Sequence, residues 1–142
     1  MKELRQKMVD ALSADATLTT LAPGGCFYLE AMPGAAYPYL LLQRVAATPT
    51  FTGGAVPAAE VSSRWQLKAH ATNTATFAGQ DRADDIIARA RAVLAALTYP
   101  ATEAALLYLR WEADLPDIPE TREQGATVFT AGILLRAETQ PL

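Results

Sequence analysis

The chain has 142 residues, of which 51% are hydrophobic and 19% charged, and its formal net charge is −3. That length and apolar content are enough for one hydrophobic core, too short for two, and incompatible with a wholly disordered chain. The acidic balance excludes a strongly basic nucleic-acid-binding domain, while a single cysteine and a single histidine exclude an internal disulfide and a multi-cysteine zinc site.

In chain order, Lys2 to Leu12 carries Leu4, Met8, Ala11 and Leu12 at helical spacing and predicts an amphipathic helix. Its charged opening, Met-Lys-Glu-Leu-Arg-Gln-Lys-Met, lacks the apolar core of a signal peptide, and no run approaches the roughly 18 apolar residues of a membrane span, so the expected location is the cytoplasm. Ser13 and Asp15 are candidate caps for a second short helical turn bearing Leu18 and Leu21, which Pro23-Gly24-Gly25 stops. Cys26 to Leu29 reads as an edge strand, followed by a turn at Pro33-Gly34.

Tyr37 to Ala47 reads as a strand whose Tyr39-Leu40-Leu41-Leu42 run is buried on both faces. Thr48 to Glu60 has neither period, holds Pro49, Gly53-Gly54 and Pro57, and reads as a long hairpin arm or loop. Val61 to Ala71 alternates cleanly: Val61, Ser63, Trp65, Leu67, Ala69 and Ala71 point inward, whereas Ser62, Arg64, Gln66, Lys68 and His70 form a wet face. Thr76 to Leu97 predicts the longest helix, with an apolar stripe of Ala83, Ile86, Ile87, Ala90, Val93, Leu94 and Leu97, and an Asp85–Arg89 pair at i,i+4. Leu106 to Leu115 reads as a strand with Leu107, Leu109, Trp111, Ala113 and Leu115 on one face. Pro116 to Gly125 reads as a loop, and Thr127 to Ala137 as the last strand.

Two strand pairs flanking one long helix, without strand–helix–strand alternation, predict an α+β fold over residues 1–142: a mainly antiparallel sheet of four main strands, two hairpins, with helices on one face.

The chemical inventory is thin. His70 is expected as an exposed strand residue without a nucleophile in an elbow motif beside it. Asp81, Asp84 and Asp85 fit a solvated helix ridge favoured by the helix dipole better than a cation site. Cys26 sits among apolar neighbours and reads as structural, and the paired glycines lack the lysine and hydroxyl of a phosphate loop. Arg64, Lys68 and His70 are too few for duplex binding and read as a solvated face or subunit contact. The arm holds Phe51 and Val56 with few charges, and docking on a neighbouring chain would supply the surface it needs.

The layout resembles the tail-completion family of long-tailed bacteriophages, which includes the tail terminators. The resemblance runs through ALSADATLTTLAPGG, MPGAAYPYLLLQRV, VSSRWQLKAHATN, AGQDRADDIIARARAVLAAL and VFTAGILLRAE. It implies a subunit of a ring, a hexamer, that caps the head-proximal end of the tail tube within the virion, stops tube growth and joins the head connector. Its implied partners are further copies of itself, the major tail tube protein, a head-completion or connector protein and genomic DNA sliding through the channel. It implies no catalytic residue, no cofactor and no membrane. By layout, Thr48, Pro49, Phe51, Val56 and Pro57 of the arm, and Pro116, Pro119 and Arg122 of the later loop, are candidate contacts. Arg64, Lys68 and His70 are candidates for the channel or a subunit contact. The alternatives are another head-to-tail neck component, or a small ligand-binding or enzymatic domain with a pocket near His70 or the aspartate ridge.

Overall fold

The computed structural model describes residues 2–51, 59–97, 104–121 and 127–141. The elements are α1 (Lys2–Ala14), α2 (Ala16–Leu21), β1 (Cys26–Tyr28), β2 (Tyr39–Phe51), β3 (Ala59–Thr72), α3 (Gly79–Ala95), β4 (Ala104–Asp114), β5 (Glu120–Thr121) and β6 (Thr127–Pro141).

Helix α1 buries Leu4, Met8 and Leu12, each one turn apart. Asp15 caps α2, accepting from the Leu18 amide at 2.9 Å. Helix α3 begins three residues later than the periodicity predicts. Thr74 first closes a hydroxyl turn onto the Thr76 and Phe77 amides, and Asn73 Oδ1 accepts from the Gly79 amide at 2.7 Å. A side chain at Gly79 would have its Cβ 2.6 Å from Phe129 Cδ2, so glycine lets the helix start against β6. Arg89 does not pair with Asp85 as expected; its guanidinium reaches Asp15 across the helix layer instead.

The five main strands run in the order β1-β2-β3-β6-β4, with β5 adding a two-residue pairing to β6. β1 is parallel to β2 and every other pairing is antiparallel, so the sheet is mixed, and the short edge strand expected at Cys26 to Leu29 joins the four expected strands as a fifth. The hairpins β2–β3 and β4–β6 join through β3 and β6, whose register runs from Val61↔Thr139 to Thr72↔Val128. Part of the predicted arm is regular strand: β2 continues to Phe51 and β3 begins at Ala59. Residues 52–58 lie outside the described residues. Likewise β6 continues to Pro141 rather than ending at Ala137, because Thr139 and Gln140 still find partners on β4.

One core cluster joins Leu4, Met8 and Leu12 of α1, Ala83, Ile86, Ala90 and Leu94 of α3, and one sheet face bearing Leu40, Leu42, Trp65, Leu67, Ile133 and Leu135. Trp65 lies at its centre, its Nε1 donating to Ser63 Oγ at 2.8 Å so that the buried indole N–H is satisfied.

Candidate assembly interface

The predicted wet face of β3 is wet only along part of its length. Arg64 is exposed and Lys68 half-buried. His70 is buried at 7% exposure, contrary to expectation. The Tyr39 ring stacks on it at 5.0 Å between centroids, and Tyr37 stacks on Tyr39 at 5.3 Å. Alternation along β3 identifies which side faces the helices, but it carries no information about a second layer supplied by other segments.

That second layer comes partly from a β-bulge. The β4–β6 register shifts between Trp111 and Ala113, which reverses the side on which later residues point. Leu115 therefore leaves the helix side, where the sequence pattern placed it, and lies over Gly132, where a Cβ would come within 2.8 Å of Leu115 Cδ1. The Leu115 amide donates to the Gly132 carbonyl at 2.8 Å. Thr130 Oγ1 then donates to the Ile118 carbonyl at 3.3 Å, holding the segment between β4 and β5 against the sheet. Pro116 and Pro119 ride on this segment and are exposed.

Glu112, the extra residue of this bulge, lies two residues beyond Arg110 and shares with it the face away from the helices. Its Oε1 lies 3.2 Å from Arg64 Nη2 and 3.3 Å from Arg136 Nη2. Arg64, Arg136 and Arg110 share one cross-strand level, so three guanidinium groups line up over β3, β6 and β4. Thr48 is exposed on β2, and the backbones of Pro49 and Phe51 pair with Val61 and Ala59. Val56, Pro57 and Arg122, the remaining expected contacts, lie outside the described residues. Sequence reasoning missed Val45 and Trp111, which are 56% and 42% exposed. A large apolar residue on a short-period strand reads as core unless the strand's place in the sheet is known.

Clefts of about 150, 280, 210 and 170 Å³ dent the surface, smaller than most ligand pockets. Among the described residues no three His, Cys, Asp or Glu side chains are grouped to hold a metal ion. Asp81, Asp84 and Asp85 are exposed along α3. Burial pushes the Cys26 thiol up to about 12, which keeps it protonated and unreactive. No described helix is long and apolar enough to cross a membrane.

Comparison with known proteins gives a consistent picture. The profile of the family described as "Tail completion protein gp17" matches residues 6–128, and the chain belongs to that family, a structural and non-enzymatic one. A chain in the solved structure "Virion of native gene transfer agent (GTA) particle" superposes with a TM-score of 0.65, covering 94% of this chain and 91% of that one. At 16% identity, that likeness establishes the fold. No curated protein sequence matches.

Proposed function

We propose that this member of the tail completion protein gp17 family is a tail terminator subunit, a structural component of a phage-like virion. Its copies close a ring on the head-proximal end of the tail tube, stop tube growth and present a surface to the head connector. The observation that carries this reading is the family match over most of the chain, supported by the fold shared with a chain of a gene transfer agent virion.

The ring is read as a hexamer, with the tail tube protein on one axial face and a head-completion protein on the other. The β2–β3 hairpin from Thr48 to Glu60, with Phe51, Val56 and Pro57, meets tube or neighbour, and the Pro116 to Gly125 segment, with Pro119 and Arg122, supplies a second contact. Arg64 and Lys68 face the channel or an adjacent subunit. A net charge of −3 suits a channel through which DNA slides without being held.

The test is the mass of the full-length protein by light scattering across a concentration series, with and without the tail tube protein. The reading requires a closed ring of about six subunits, alone or induced by the tube. A strict monomer or dimer in both conditions overturns it. Binding to filled heads before tails would reassign the chain to another neck position.

A further inference from the structure

Two edges of the sheet are open among the described residues, and they lie at complementary levels. On one side β1 covers β2 over Leu40, Leu41 and Leu42 alone. Leu29 follows β1 at once with φ 68° and turns the chain off the edge. From Gln43 to Thr48 every residue of β2 is exposed. On the other side β4 is the outermost strand.

The register carries levels across the sheet. Asp114 lies level with Ile133, Leu67 and Leu42; Ala113 with Leu134, Gln66 and Gln43; Trp111 with Leu135, Trp65 and Arg44. β4 thus ends, at Asp114, level with the last residue that β1 covers, and its earlier residues span the levels that β1 leaves uncovered. The strands β2 and β4 run in opposite directions, since three antiparallel pairings separate them. Both edges leave large apolar side chains partly exposed: Val45 at 56% and Leu29 at 53% on one, and on the other Trp111 at 42%, with one ring face under the Arg91 guanidinium and its Nε1 donating to Asp114. Arg44 stands on the first edge, and exposed Asp114 and Asp117 at the end of the second, while Arg110 falls level with uncharged Ala46.

We infer that the occupant of each open edge is a second copy of this chain: β4 of one subunit pairs antiparallel with Gln43 to Thr48 of the next. Each subunit gives one edge and receives at the other, a head-to-tail contact that closes into a ring when the rotation between subunits permits. With the strands set along the ring axis, residues of equal level meet, which puts Trp111 beside Arg44 and the bulged Val45. Pro49 has no N–H to offer and bounds the pairing at the far end. Unpaired edges of this kind otherwise template uncontrolled association. The inference rests on the ring reading above.

The experiment uses full-length protein carrying Arg44→Cys or Trp111→Cys, mixed under mild oxidation or with a short bismaleimide, with and without tail tube protein. The wild type, whose Cys26 is half-buried, is run alongside as the background control. The expected result is a covalent dimer in the mixture, none with either variant alone, and a ladder from the double variant. A full-mass ring whose cysteines do not link, or Arg44→Cys linking to itself, overturns the edge pairing and leaves the ring reading standing. A monomer under every condition overturns both. As a second variant, Val45→Lys is expected to abolish the high-mass species while the monomer keeps its circular dichroism. A ring unaffected by that lysine also overturns the inference.

Discussion

Asp15 binds Arg89 through both carboxylate oxygens, at 2.7 Å to Nη2 and 3.0 Å to Nε, while the same carboxylate caps α2. One side chain thereby starts α2 and ties it to α3. The Arg89 guanidinium, and next the Leu18 amide, hold the Asp15 carboxyl at about 2, below the usual 3.8.

A carboxyl with a lowered folded-state pKa adds stability above its unfolded value and loses it as pH falls through its folded value. The stability gap between wild type and Asp15→Asn is therefore expected to be constant at neutral pH. It shrinks between about pH 4 and pH 2, read by denaturant melts across that range. High salt narrows the gap at neutral pH, because the Arg89 side chain is 42% exposed. A gap independent of pH would remove the ion pair from the account.

Ser63→Ala leaves the Trp65 indole N–H without its acceptor in a fully buried site. The expected loss is about 1–3 kcal/mol, seen as a lower urea midpoint at unchanged slope. Trp65→Ala empties the centre of the core, and the expected loss rises to about 3–5 kcal/mol. A Ser63→Ala midpoint equal to wild type would mean that the indole finds another acceptor.

Gly79→Ala places a methyl against Phe129 and the Thr72 backbone at the start of α3. Overpacking there is expected to cost about 1–3 kcal/mol, although alanine is otherwise the better helix former. A thermal melt at or above the wild-type temperature would refute the close approach.

The Cys26 thiol, half-buried, should react with a thiol reagent at pH 8 more slowly in the folded protein than in denaturant. Burial, rather than a partner, keeps it protonated. Immediate native-state reaction would place the thiol in water.

How much of this could be read from the residues depended on whether each residue's surroundings were local. The stripe of α3 and the inward face of β3 were legible because each records a single burial pattern at its own period. The end of β2 was not, since Thr48, Pro49 and Thr50 carry no pattern and owe their strand to β3. His70 was misread because Tyr39, its ring partner, stands on a neighbouring strand. The turnover of Leu115 depended on a bulge with no glycine to announce it. Of the candidate interface, the charged residues were visible and the open edges were not, because an edge is a property of strand order.

Strand order has a further consequence, in time. β6 is the last described strand along the chain, yet it lies between β3 and β4. Its pairing to β3 spans more than half the sequence, from Ser62 to Glu138 at one level. While the chain is being synthesised, β2 and β3 can meet early, but β4 has no neighbour to receive it until residues 127–141 have emerged. Such long-range pairing slows folding and prolongs exposure of strand edges. The sheet therefore closes late and as a unit, so both outer edges are in place together only once nearly all of the chain has been made.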